Sequence, residues 1–76
     1  MSRILDLAIF GVGLIQREFN EEMTASELMA ELVKDGTLSD ASMSMRIGSS
    51  AIPSTLRVGD FPEGIITFTP ELKQGW

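Results

Sequence analysis

The stretch Met23-Thr24-Ala25-Ser26-Glu27-Leu28-Met29-Ala30-Glu31-Leu32-Val33-Lys34-Asp35-Gly36 decides the fold of this chain. Thr24 followed three residues later by Glu27 has the form of a capping box. The Thr24 hydroxyl accepts from the Glu27 N–H, and the Glu27 carboxylate accepts from the Thr24 N–H. Met23, just before the cap, can pack on Leu28 as a hydrophobic staple. Ala25, Leu28, Met29, Leu32 and Val33 recur at helical spacing and form one apolar stripe, while Glu27 and Glu31 fall on the other side. Lys34 suits the last turn, where the helix dipole favours a cation. Gly36 is a natural residue to leave the helix by, since it adopts positive φ at little cost. A helix from about Ala25 to Asp35 is predicted.

Extended segments lie on both sides of this helix. From Ile4 to Val12 the chain is apolar on both faces: Leu5, Leu7 and Ile9 point one way, and Ile4, Ala8 and Phe10, with Asp6 among them, point the other. Gly11-Val12-Gly13 supplies turn residues for a hairpin. It lacks the lysine and the following helix of a phosphate-binding loop. Ile15, Arg17 and Phe19 then alternate with Gln16 and Glu18, as in a half-exposed edge strand. After the helix, Thr37 to Ser42 is a polar connection. Met43, Met45 and Ile47 alternate with Ser44 and Arg46 as a third strand. Gly48-Ser49-Ser50 turns the chain, and Ala51-Ile52 is a short extended piece stopped by Pro53. Leu56 and Val58 read as core residues in an irregular crossing, with turns at Gly59-Asp60 and Pro62-Glu63-Gly64. Ile65 to Thr69 is the last strand, ended by Pro70. Glu71 to Trp76 has little structural signal and reads as a mobile tail. The order β-β-α-β-(short β)-β predicts a mixed sheet with one helix across it, its first and last strands parallel at the centre, as a single domain over residues 1–76.

Composition narrows the chemistry. The chain has 76 residues, no cysteine and no histidine, and a net charge of -5. Disulfides, thiolate metal sites and cysteine nucleophiles are excluded, and the commonest general base and metal ligand is missing. Asp6, Asp35, Asp40 and Asp60 have no spacing that suits a metal loop or an acid–base pair. Met29, Met43 and Met45 read as core filling. No enzyme activity, cofactor or metal is expected. An acidic domain repels phosphate, which disfavours nucleic acid and anionic lipid and favours a basic protein surface. Arg3 and the apolar run after it have the outline of a signal peptide, but Asp6 interrupts the run and no small-residue cleavage site follows. The run is too short to span a bilayer, and a cytoplasmic protein is the expectation.

Glu18-Phe19-Asn20-Glu21-Glu22-Met23-Thr24-Ala25-Ser26-Glu27-Leu28 resembles the segment of ubiquitin that leaves its second strand and caps its helix. Thr24 to Leu32 is also similar to the helix start of the small sulfur carriers, namely the small subunit of molybdopterin synthase and the thiamine-pathway carrier. In those carriers a Pro-Ser/Thr-x-Leu-x-x-Gly-Asp crossing leads into an apolar strand that ends in proline. Here Ile52-Pro53-Ser54-Thr55-Leu56-Arg57-Val58-Gly59-Asp60 precedes Ile65-Ile66-Thr67-Phe68-Thr69-Pro70. The resemblance implies an α+β, ubiquitin-like β-grasp fold. It also implies a modifier or sulfur carrier whose terminal glycine carboxylate is activated by an adenylating enzyme, with ATP belonging to that enzyme. Members of these families end in Gly-Gly, whereas this chain has Gln74-Gly75-Trp76: either Trp76 is trimmed by a processing protease to expose Gly75, or the chemistry is different, or the chain is never activated.

Two surfaces are candidates for protein binding. One is the tail, through Gly75 and Trp76; tryptophan is a leading anchor residue at interfaces. The other is the outer sheet face, expected to carry Ile4, Ala8 and Phe10 with Ile66 and Phe68. Glu18, Glu21, Glu22, Glu27 and Glu31 form an acidic band with no intervening base, suited to a basic partner or to solvation alone. Two functions are expected from these readings: a modifier or sulfur carrier acted on through its tail, or a non-conjugated module that holds a protein partner.

Overall fold

The computed structural model describes residues 1–39 and 43–70, so Asp40 to Ser42 and the tail with Gly75 and Trp76 lie outside the described residues. Strands β1 (Ser2–Ile9) and β2 (Gly13–Asn20) form a hairpin, followed by helix α1 (Ala25–Lys34). Strands β3 (Met43–Ile47) and β4 (Ser50–Ala51), a 3-10 turn (Val58–Asp60) and strand β5 (Ile66–Pro70) complete the chain. The sheet order is β2-β1-β5-β3-β4. β1 and β5 pair in parallel, and every other pairing is antiparallel. This is the β-grasp arrangement expected from the sequence: an α+β domain with a mixed five-stranded sheet and one helix.

The helix begins where the capping box places it. The Glu27 N–H donates to Thr24 Oγ1 at 3.3 Å, and the Thr24 N–H donates to Glu27 Oε1 at 3.0 Å. The other orphan donors of the first turn find carbonyls. Ala25 N–H donates to Leu56 O at 2.8 Å and Ser26 N–H to Ser54 O at 3.0 Å, while Leu28 N–H makes the first intrahelical bond, to Thr24 O at 2.9 Å. Two of those acceptors come from the crossing segment, which is laced antiparallel to the helix lead-in. Val58 N–H donates to Met23 O and Gly59 N–H to Glu21 O. The helix N-terminus is therefore saturated by its own chain, with no donors left for an anion. At the other end Asp35 is the cap, and Gly36 has φ +84°, the left-handed conformation that favours glycine.

Leu28 and Leu32 are fully buried and Ala25 nearly so, while Met29 and Val33 pack partly against the same core. Leu5, Leu7, Ile9 and Phe19 meet them from the hairpin, and Met43, Met45, Ile66 and Phe68 from the other strands. Leu38, expected in a polar connection, and Phe61, between two expected turns, also enter the core. The Leu38 N–H donates to Leu32 O at 3.0 Å, which holds the exit from the helix against the sheet. Arg3 ties β1 to the crossing. Its Nη1 donates to Val58 O at 3.0 Å and to Phe61 O at 2.7 Å.

The capping box sets an acid response. The Thr24 backbone N–H, then its hydroxyl, hold the Glu27 carboxyl below its ordinary pKa, with a smaller contribution from Arg57. The Thr37 hydroxyl, then its backbone N–H, do the same for Asp35, and Arg17 adds to it. A carboxyl whose pKa is lower folded than unfolded stabilises the fold above the unfolded value. That contribution is lost as pH falls through the folded one. The melting temperature should therefore fall as pH drops below the ordinary carboxylate range, about 4. Thr24→Ala should cost about 1 kcal/mol at neutral pH. It should also move the Glu27 titration, followed by NMR, back up toward the ordinary range. An unmoved Glu27 titration contradicts the assignment of the cap.

Candidate functional site

The outer face of the sheet, away from the helix, follows from strand alternation. On β1 the residues between buried Leu5, Leu7 and Ile9 point outward: Ile4, Asp6 and Ala8, then Phe10 at the hairpin turn. Across β1–β2, Ile4 lies opposite Glu18, Asp6 opposite Gln16 and Ala8 opposite Leu14. On the other side, Ala8 lies opposite Thr67 of β5, which in turn lies opposite Arg46 of β3.

Register corrects one part of the expected face. Ile66 is opposite Leu7, and Phe68 is opposite Ile9. Residues directly opposite in a sheet share a face, so Ile66 and Phe68 turn inward with the buried set. They are 1 % and 0 % exposed. Thr67 and Thr69 take the outward positions instead. Ile4, Ala8 and Phe10 do lie on the outer face; Ala8 and Phe10 share one cleft, and Ile4 stands apart from them. Ile4 and Phe10 are six positions apart along an extended strand, roughly 20 Å.

The face is divided along its length. At one end exposed Ile4 sits among polar side chains that engage one another: Gln16 Nε2 donates to Asp6 Oδ1 at 3.0 Å, and the Ser2 hydroxyl donates to Glu18. At the hairpin end it is apolar. Phe10 is 67 % exposed and Leu14 66 %, and with Ala8, Gly13, Thr67 and Thr69 they line a shallow cleft of about 330 Å³. Val12, also exposed, lies at the hairpin tip on the side of a second shallow cleft with Gly36 and Thr37. Leu14 and Val12 were missed by the sequence reading. Leu14 is the apolar member of an otherwise polar outward set on β2, with Gln16 and Glu18, and that break in pattern is the available signal.

The hairpin that presents Phe10 is firmly held. Ile9 is opposite Gly13, Val12 N–H donates to Ile9 O at 2.9 Å, and Gly13 has φ +112°. Phe10 N–H donates to Phe68 O at 3.0 Å, so the base of the turn is tied to β5 as well. An aromatic ring on a backbone fixed from two sides loses little conformational freedom on docking.

The acidic band is less free than its sequence suggests. Arg57 arrives from the crossing, and its Nη1 donates to Glu22 Oε2 at 2.9 Å. Glu27 is occupied by the cap and Glu18 by Ser2. On the opposite side of the domain, Arg17 pairs with Asp35 and reaches the Thr37 hydroxyl, fastening β2 to the helix exit. A wider cleft of about 500 Å³ opens between α1 and the β3–β4 edge, lined by small residues and by Met29, Met45 and Ile52. Among the described residues, no three acidic side chains are grouped to hold a metal ion, and no helix is long and apolar enough to cross a membrane. No protein-family profile matches this chain, and no curated protein matches it significantly.

Proposed function

We propose that this chain is a β-grasp binding protein that engages a protein partner through the hairpin end of its sheet. The observation that supports this most directly is the juxtaposition of Phe10 and Leu14, each about two-thirds exposed, with Ala8 on a rigid part of the outer face. Water-exposed aromatic and aliphatic groups on a fixed backbone are the raw material of an interface anchor. The partner's matching surface is apolar. The surrounding Thr67, Thr69 and Ser44 hydroxyls supply a polar rim.

A second reading is favoured by the β-grasp arrangement, in which β5 ends at Pro70 on the side of the sheet that carries the hairpin turn. In it the chain is a ubiquitin-like modifier or sulfur carrier, with Gly75 as the reacting residue once Trp76 is removed. An adenylating enzyme is then the partner, and ATP is that enzyme's substrate.

A photo-crosslinking residue placed at Leu14 tests the first reading in the natural host. One discrete protein adduct is expected from Leu14 and none from Gln16, two residues away toward the polar end. Phe10→Ala should weaken that complex by about 30-fold, the effect of a 2 kcal/mol hot spot. Equal crosslinking from both positions, or full affinity after Phe10→Ala, contradicts docking at this face. Intact-mass measurement of the host's own protein tests the second reading. A form ending at Gly75 that carries a thiocarboxylate or a conjugate supports it, and a population that all retains Trp76 contradicts it.

A further inference from the structure

We infer that the cleft between α1 and β3 accepts an extended segment of a second protein, laid parallel to β3 as an added strand and carrying two bulky apolar side chains one residue apart. The open edge of β3 carries the inference. Phe10 N–H donates to Phe68 O, so the backbone groups of Phe68 face β1, and those of Thr67 and Thr69 face β3. Ser44 and Arg46, opposite Thr69 and Thr67, therefore turn their N–H and C=O groups toward β5. Met43, Met45 and Ile47 turn theirs the other way, toward β4. That neighbour is short. β4 ends at Ala51, and Ile52 N–H reaches Met45 O at 2.9 Å before Pro53 leads the chain away. Among the described residues, nothing accepts from the Met45 N–H and nothing donates to the Met43 C=O. Met45 is only 6 % exposed, and an unpaired donor on a buried residue is costly.

These two groups define what fits them. In a parallel ladder, one residue donates its N–H to residue i of the neighbouring strand and accepts from residue i+2. Met43 C=O and Met45 N–H stand in that relation, so one residue of a parallel segment, level with Ser44, engages both. An antiparallel segment must pair with Met45 where Ile52 already sits. Side-chain directions follow from alternation. The residue level with Ser44 points to the outer face, where the Ser44 hydroxyl meets that of Thr69. Its two neighbours, level with Met43 and Met45, point inward to the cleft beside the helix.

The cleft suits two apolar side chains. It holds about 500 Å³ between Met29 and Ala30 of α1 and Met45 and Ile52 of the sheet edge. Ala30 and Ala51 are small and leave room, and the flexible thioethers of Met29 and Met45 adapt to an incoming side chain. Backbone bonds to a strand edge supply affinity, and pockets for alternate side chains supply specificity. A net charge of -5 favours a segment flanked by basic residues. The cleft shares no residue with the patch of Phe10 and Leu14, so this site stands independently of docking at the hairpin.

Hydrogen exchange followed by NMR tests the open edge in the chain alone. The Met45 amide should exchange faster than those of Ser44 and Arg46, which face β5. Selection from a display library of short random peptides tests the ligand. Enriched peptides should share two bulky apolar residues separated by one, and their binding should slow exchange at Met45. Ala30 is exposed on the helix, so Ala30→Trp fills the cleft without entering the core. It should weaken those peptides by about 10-fold or more. Phe10→Ala should leave them unchanged, and circular dichroism checks that each variant is folded. A Met45 amide as protected as its neighbours in the free chain overturns the inference. So does a selection that enriches nothing, or one whose peptides bind Ala30→Trp undiminished. Peptides lost with Phe10→Ala instead belong to the hairpin face, which overturns this site and leaves docking at the hairpin standing.

Discussion

Phe68→Ala should lower the free energy of unfolding by about 3–5 kcal/mol, the usual cost of deleting a fully buried aromatic side chain. Phe10→Ala, on the exposed side of the adjacent strand, should change it by no more than about 0.5 kcal/mol. The contrast follows from register. Phe68 is 0 % exposed and lies opposite Ile9 in the core, whereas Phe10 is 67 % exposed. Removal of the Phe68 ring leaves a cavity bounded by a sheet that is hydrogen-bonded on both sides of β5 and cannot collapse onto it. A domain of this size holds roughly 0.05–0.15 kcal/mol of stability per residue. Phe68→Ala therefore removes a large share of the total. Urea unfolding followed by circular dichroism reads both variants. Equal costs for the two phenylalanines contradict the pairing of β1 with β5.

The second large effect belongs to the helix stripe. Leu28→Ala and Leu32→Ala should each cost about 2–5 kcal/mol, because both side chains are fully buried between the helix and the sheet. Met29→Ala should cost less, since Met29 is only partly buried and borders the open cleft beside β3 and β4. The three together map the orientation of the helix. If Met29→Ala proves the most damaging, the helix is turned by about one residue, 100°, from the position described.

The helix was legible in the sequence nearly to the residue because its signals are local. The capping box, the stripe and the exit glycine all act within a few positions of one another. Strand existence was legible for the same reason, through alternation. Even the parallel pairing of the first and last strands followed from the order of elements. What alternation alone did not settle was which set of β5 faces inward, since shifting the pairing by one residue exchanges the faces. Ile66 and Phe68 were assigned outward, yet the polar partners Thr67 and Thr69 already marked the solvent side. Leu38 and Phe61 were missed for a different reason. Each is a single apolar residue among turn residues, with no periodicity to register it, and its burial depends on long-range closure. The candidate docking face was half legible. Ala8 and Phe10 stood out on β1, but Leu14 needed the hairpin register before its proximity to Ala8 could be known.

The lacing of the crossing segment to the helix lead-in has a consequence for synthesis. A chain made from its N-terminus presents the hairpin and helix first. At that stage the N–H groups of Ala25 and Ser26 lack their acceptors, since Leu56 and Ser54 have yet to emerge. β1 also lacks its central neighbour, because β5 is the last strand made. A partly made chain thus displays Leu5, Leu7 and Ile9 on a strand with an open edge, a sticky surface of the kind that chaperones and proteases recognise. Completion of β5 closes that edge and the core in one step. A chain that stops before Ile66 lacks this closure, and one that includes Pro70 holds every strand of the sheet.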